Sequence, residues 1–248
     1  MARTVAPNSQ RKGRGTARCY TGRLLTPLII AIDGPSGSGK GTLARRLADA
    51  LGYRHVDTGA MYRAVAWRAH QLGYALDDEP AVAGLAARAV LSQDEGRVTI
   101  DGHDVTRAIR TPDIDQSAAR VARLPQVRAV LVARQRELGA SGRVVMEGRD
   151  IGTVVFPGAP VKLYLDASAE ERARRRANDP AHSGGRTDMG HVKSAMAARD
   201  ESDSTRTVAP LQMAVDAVYV DTTGWDADAV LAKVLALVRD RGEAIDDR

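Results

Sequence analysis

Apolar and polar positions along this chain switch between two periods, and the switches outline its elements. The run "LIIAID", Leu28 to Asp33, is continuously apolar and ends in Gly-Pro, which predicts a parallel strand buried on both faces. Leu43, Leu47, Ala50 and Leu51 then recur at helical spacing and predict a helix with one face against that strand. "GYRHVDTG" predicts a short second strand, and "AMYRAVAWRAHQLG" a second helix stopped by Gly73. Strand, loop, helix, strand, helix is how a doubly wound sheet begins, so the expected class is α/β: three layers about a parallel central sheet.

Between Asp77 and Pro125 the grammar changes. Ala81 to Leu91 suits a helix, but "RVTIDGHDVT" places β-branched residues on either side of Asp101-Gly102, a strong hairpin turn pair. An antiparallel hairpin does not belong in a parallel crossover, so residues 77–111 are read as a small inserted subdomain. "PQVRAVLVARQREL" predicts a long helix, "RVVMEG" a third core strand and "VKLYLDA" a fourth. Ser168 to Arg176 and Met189 to Arg199 read as helices around Asn178 to Arg186, which is rich in Gly, Pro and Asp; the pattern suggests a helical hairpin with a mobile tip. "DAVYVDTT" and Asp226 to Arg239 close the domain as last strand and helix, leaving a short tail at 243–248.

Charge changes the picture only at one end. The formal net charge of +5 invites a nucleic-acid reading. Residues 1–26 hold six basic side chains and no acid, however, so the remaining 222 residues carry 30 basic and 31 acidic groups. The body, 27–242, is close to neutral, and the leader reads as a disordered basic segment. It is no signal peptide by pattern: the apolar run Leu24 to Ile32 is broken by Pro27 and ends in the Gly-rich loop, so cleavage behind it would destroy the loop's strand. The abrupt change at Leu25 makes a translation start there an expectation that intact mass would test. The single cysteine, Cys19, excludes an internal disulfide, and a cytoplasmic protein off the membrane is the simplest account.

Four clusters carry the candidate chemistry. In "GPSGSGKGT" the residues Gly34, Pro35, Ser36, Gly37, Ser38, Gly39, Lys40, Gly41 and Thr42 join strand to helix; the glycines let backbone N–H groups turn toward phosphate oxygens, and Lys40 adds a mobile charge. Gly41 stands where the strict signature has Ser or Thr, leaving Thr42 as the nearest hydroxyl for magnesium. "DTGAMYR" offers Asp57, Thr58, Tyr62 and Arg63: Thr58 reads as a helix cap or a ligand contact, Arg63 as a phosphate contact. "EGRD" places Arg149 and Asp150 at the carboxyl end of a core strand, where open α/β sheets bind ligands. Finally, Arg172 and Arg176 lie four apart and so could grip one polyphosphate together, Arg174 and Arg175 read as a solvated helix face, and Arg199, Asp203 and Arg206 follow downstream.

In this order, "IAIDGPSGSGKGT", "DTGAMYRA", "IRT", "EGRDIGTVVFPGAPVKLYLDASAEERARRR" and "RDESDSTRTVAPL" make the body, from about Ile30 to Thr222, resemble the bacterial cytidylate kinases, which are nucleoside monophosphate kinases with a P-loop. The resemblance implies ATP on the 34–42 loop, a lid over about 172–206, and CMP or dCMP as acceptor beside the inserted subdomain. It implies Arg63 and Arg149 on the acceptor phosphate, Arg128 and Asp150 on the cytosine, and Arg199, Asp203 and Arg206 along the sugar and phosphate. Lys40 and the arginines Arg63, Arg149, Arg172 and Arg176 would neutralise the transferred phosphoryl group, with Mg2+ carried mainly by ATP and water. Where family members commonly carry Ser against the base, this chain has Ala119. A carboxylate accepts from the N4 amino group of cytosine, whereas uracil presents an acceptor there, so Asp150 independently suits cytosine. A monomer without a nucleic-acid partner is expected. The rivals are a kinase for UMP or an alcohol, and an ATP-dependent switch whose basic leader binds nucleic acid.

Overall fold

The computed structural model describes residues 27–94, 96–179 and 189–246; the leader and most of the Asn178 to Arg186 stretch lie outside them. The chain opens with β1 (Ile29–Asp33), α1 (Lys40–Leu51), β2 (Arg54–Asp57) and α2 (Thr58–Gln71). There follow α3 (Glu79–Arg88), β3 (Leu91–Asp94), β4 (Arg97–Ile100), β5 (His103–Asp104), α4 (Pro112–Val121) and α5 (Pro125–Gly139). After β6 (Val144–Glu147) comes one π-helical stretch, Ile151–Val155, then β7 (Val161–Asp166), α6 (Ala169–Ala177), α7 (Met189–Thr205), β8 (Val218–Asp221) and α8 (Ala227–Asp246).

Five strands pair in the order β2-β6-β1-β7-β8, and every pairing is parallel. Alternation along β1 decides the layers. Ile30 and Ile32 pack with Leu163 and Leu165 of β7 against Leu43 and Leu47 of α1 and Val230, Val234 and Val238 of α8. Ala31 faces the other way, with Val56, Val144 and Met146, onto Val132 of α5 and onto Ile151 and Val155. A strand covered on both faces must be apolar at every position, which is why "LIIAI" shows no alternation. Replacing Leu163, 1 % exposed in the first layer, by Ala is expected to destabilise the fold by about 2–5 kcal/mol in urea unfolding.

The carboxyl ends of β1, β2 and β6 meet at one edge, so the loops that follow them converge there. The turn out of β1 is tight: Gly34 has φ 145°, and a Cβ on it would fall 2.0 Å from the Leu165 carbonyl oxygen. After α3 the chain forms a three-stranded antiparallel sheet in the order β3-β4-β5, packed on α2, with Asp101 and Gly102 both at positive φ in its turn.

Several elements differ from the reading of the pattern. The helix read over Ala81 to Leu91 starts at Glu79 and stops at Arg88, and Leu91–Asp94 is instead the outer strand of the small sheet. Its one apolar residue, Leu91, packs against the cluster of Val98 and Ile100 of that sheet with Ala60 and Ala64 of α2, which no local period reveals. Helix α4, unread in the sequence, begins at Pro112 behind a Thr111 side chain that accepts from the Ile114 N–H. Helix α8 continues through Asp246, past Arg239 and into the expected tail. No helix among the described residues is long and apolar enough to cross a membrane.

Candidate active site

At the converging edge lies a cleft of about 1240 Å³, larger than the roughly 300–1,000 Å³ of a pocket for one small molecule. Twelve cationic side chains and seven carboxylates line it among the described residues, so it selects for anions. One end is the 34–42 loop. Gly39, in the left-handed conformation, precedes α1 and supplies no side-chain cap, so the first amides of the helix remain available to an anion. Lys40 folds back into the loop, donating to the Pro35 carbonyl at 2.6 Å and the Ser38 hydroxyl at 3.3 Å. Burial, with Arg149 beside it, lowers its pKa to about 7 despite Glu147 and Asp33.

The second wall comes from β2 and α2. Asp57 accepts from the Ala60 N–H and so caps α2, which corrects the expectation that Thr58 is the cap. Thr58 is the first helical residue, and its hydroxyl donates to the Glu147 carbonyl at 2.7 Å, tying α2 to β6. Arg63, one turn further on, donates to Asp57 at 2.8 Å. Burial works to raise the Asp57 carboxyl, but Arg63 and the Ala60 N–H outweigh it and hold it at about 2. The small sheet docks here: Gln93 of β3 takes both backbone groups of Asp57, donating to its carbonyl at 2.8 Å and accepting from its N–H at 3.0 Å.

The end of β6 supplies Glu147, Arg149 and Asp150. Their segment is anchored by Asp33, whose two carboxylate oxygens accept from the Ile151 and Gly152 N–H groups at 2.8 and 2.7 Å. Burial nonetheless raises the Asp33 pKa to about 6. Glu147 meets His55 at 3.0 Å, and Arg149 donates to Asp203 of α7 at 2.9 Å. Asp150 pairs with Arg128, while Arg206 stands 3.8 Å from Asp150 and 3.7 Å from Asp203. Burial lifts the Asp150 carboxyl above its ordinary range even though Arg128 and Arg206 oppose it. Arg128 also lies over the Tyr62 ring at 5.7 Å, giving this pocket one aromatic wall, with Ala118, Ala119 and Ala122 along the lining.

Helices α6 and α7 close the third side. Arg172 donates to the Ser36 and Ala167 carbonyls at 3.0 and 3.1 Å and pairs with Asp200, whose carboxylate also accepts from the Ser36 N–H at 3.0 Å. The phosphate loop is thereby fastened to both helices. Arg176 instead meets Asp115 of α4, so in this structure Arg172 and Arg176 turn to different partners and only Arg176 reaches the cleft lining. Arg175 is not a solvated residue: it donates to the Thr222 carbonyl at 2.7 Å and hydroxyl at 2.9 Å beside the loop. Arg174 is, paired with Glu171 on the exposed face. Arg63 Nε, Arg199 Nε and Arg206 Nη2 are buried with no hydrogen-bond acceptor, which leaves donors for an anionic ligand.

Of the residues singled out in the sequence, Ser36, Gly37, Gly39, Lys40, Gly41, Thr42, Asp57, Thr58, Tyr62, Arg63, Arg128, Arg149, Asp150, Arg176, Arg199, Asp203 and Arg206 all line this one cleft. Gly34, Pro35 and Arg172 stand behind its surface, and Ser38 faces an adjoining 190 Å³ recess with Thr222 and Trp225. The sequence reading missed Arg45, Arg54, Arg97, Arg110 and Arg175 in the lining. "IRT" carries Arg110, but a single arginine outside any period has no local mark of its direction.

The chain matches the family model described as cytidylate kinase over residues 30–240. It is 48 % identical over 223 residues to the cytidylate kinase of Syntrophotalea carbinolica, covering 88 % of this chain and 95 % of that one. It is also 48 % identical over 221 residues to the cytidylate kinase of Geobacter sulfurreducens, again with 88 % and 95 % coverage. Among solved structures, an uncharacterized protein from Eubacterium ventriosum superposes with a TM-score of 0.51 at 12 % identity, covering 87 % of this chain and 99 % of that one, a likeness of fold alone.

Proposed function

The chain belongs to the cytidylate kinase family, and on that premise we propose that it transfers the γ-phosphoryl group of ATP to CMP or dCMP, forming ADP and CDP or dCDP. The observation that carries this reading is one cleft with two anion-binding ends: the amides and lysine of the 34–42 loop, and the guanidiniums of Arg63, Arg149, Arg176 and Arg199 facing them.

The acceptor is already a phosphate anion and needs no strong base. What the chain contributes is alignment of two anions and compensation of their repulsion. The loop amides and Lys40 hold the donor's outer phosphates. Arg63 and Arg149, each aimed by its carboxylate partner, hold the acceptor phosphate. Arg128 and Asp150 meet the cytosine at the Tyr62 wall, and Arg199, Asp203 and Arg206 follow its sugar and phosphate. Helices α6 and α7, tied to the loop through Arg172 and Asp200, form the lid that excludes water as a competing acceptor.

For the metal, the described residues contain no trio of His, Cys, Asp or Glu side chains arranged as a cage. Asp33 is committed to the Ile151 and Gly152 amides and Asp150 to Arg128. Such a donor set fits Mg2+ carried chiefly by ATP and water, with the Thr42 hydroxyl in the cleft lining as its protein ligand. When bound, Mg2+ supplies neutralisation of phosphate charge. A monomer in the cytoplasm completes the reading.

The test is coupled ADP release with CMP, dCMP, UMP, AMP and no acceptor in parallel. Release driven by CMP or dCMP is expected; release of the same size without acceptor would make the protein an NTPase and remove the cytosine site.

The lowered Lys40 pKa adds a second expected result. At pH 8 a lysine with a pKa of about 7 is mostly uncharged in the free protein, and a triphosphate beside it restores the charged form. Binding of ATP at pH 8 is therefore expected to take up about half a proton or more, read by calorimetry in buffers of different ionisation enthalpy. Proton release, or no exchange, would contradict the lysine's placement.

A further inference from the structure

Asp115 has no part in the scheme above, yet three of the arginines assigned to that scheme meet it. It sits on α4, 7 % exposed, and is absent from the cleft lining, whereas three arginines that meet it are part of that lining. Arg176 of α6 contacts its Oδ2, Arg199 of α7 lies 3.0 Å from Oδ1, and Arg63 of α2 lies 4.0 Å from the same atom. Four helices thus meet at one carboxylate placed behind the cationic wall.

Three guanidiniums gathered in a poorly hydrated place repel one another, and the repulsion grows as water is excluded. One carboxylate among them offsets part of it and still leaves a net positive charge toward the cleft. A guanidinium carries five donors in a planar fork, so it binds a carboxylate with one edge and offers the other to phosphate. Arg199 and Arg63 each turn one Nη to Asp115, at 3.0 and 4.0 Å, and the Nε atoms of both are buried without an acceptor. Arg63 has a second anchor in Asp57 at 2.8 Å, so Asp115 matters most for the two arginines of the lid.

Resting on the kinase reading, we propose that Asp115 is a positioning residue that holds Arg176 and Arg199 from behind, so that lid closure delivers Arg176 to the phosphoryl group in transfer and Arg199 to the acceptor phosphate beside it. Asp115 itself touches no substrate. Its loss lowers kcat through the arginines, while CMP binding, anchored by Arg63 and Arg149, is affected less.

The experiment measures kcat, KM for CMP and thermal unfolding for four chains: wild type, Asp115→Asn, Arg176→Ala/Arg199→Ala, and the triple variant. Wild-type turnover of CMP is the control; its absence defeats the proposed function and not this inference in particular. With the wild type active, kcat of Asp115→Asn is expected to fall tenfold or more, with KM for CMP changing less than threefold. In the double-arginine background the same substitution is expected to change kcat less than twofold, because the residues it acts through are gone. A fall of less than fivefold in the single variant, or a repeat of its full loss in the double-arginine background, overturns the proposal. If Asp115→Asn fails to fold because buried cations lose their counter-charge, the triple variant relieves that charge. Its kcat against that of the double variant then decides: a change under twofold supports the positioning role, and a tenfold loss overturns it.

Discussion

Lys40→Met is expected to lower kcat for CMP phosphorylation by about 10³-fold, the scale on which loss of a preorganised charge at a transition state is felt. Its Nζ is held between the Pro35 carbonyl and the Ser38 hydroxyl at one end of the cleft, next to the amides of α1. No other cation of the 34–42 loop can replace it. The same variant separates catalysis from folding. The folded chain holds the Lys40 pKa at about 7, below its ordinary 10.5, so the folded state resists protonation and stability rises as pH climbs from 7 toward 10.5. Removing that amine at neutral pH removes an unfavourable buried charge, and Tm is expected not to fall. Loss of activity with an undiminished Tm marks Lys40 as a chemical group; a parallel collapse of both would mark it as structural.

Asp150→Asn is expected to cut kcat/KM for CMP by about 10²-fold while that for UMP falls less than tenfold, a difference of more than about 1.4 kcal/mol in base discrimination. The carboxylate only accepts, which suits the N4 amino group of cytosine; an amide both accepts and donates and so tolerates the O4 of uracil. Arg128 and Arg206 keep the carboxylate oriented within a buried pocket. Ala119 lines the same cleft without a hydroxyl, and the nearby Ser117 hydroxyl is engaged with His70 at 2.8 Å, so Asp150 is expected to carry more of the discrimination. Equal losses for the two substrates would show that Asp150 acts only by aiming its arginines, and steady-state kinetics with both acceptors decides between the two roles.

Some of this site is legible in residue order because its physics is local. "DGPSGSGKGT" after an apolar strand specifies a strand, a phosphate loop and a helix within one short segment, since its own glycine positions and backbone amides make the binding surface. Asp101-Gly102 likewise forces its own hairpin through two positive φ angles. The stacking of Arg172 over Arg176 is equally local, and there residue order misleads. Helical spacing places the two side chains on one face, but the nearest carboxylates, Asp200 and Asp115, belong to α7 and α4 and draw them apart.

The cap of α2 follows the same logic. Asp57 and Thr58 are both good caps by chemistry, and the choice falls to Asp57 because the Thr58 hydroxyl meets the Glu147 carbonyl of β6, 89 residues away. Arg175, one of four nearly consecutive cationic residues, is drawn to Thr222 because β8 ends there.

Residue order by itself thus determines the parallel α/β core, the phosphate loop and the hairpin of the small sheet, all of which depend on periodicity and on contacts a few residues apart. Only the tertiary structure decides which carboxylate each arginine serves, where Gln93 docks the small sheet, and that Asp115 joins three helices behind the cleft wall. The reason is electrostatic competition. Many cations share few acids, each pairing is worth little until water is excluded, and exclusion depends on how distant segments pack.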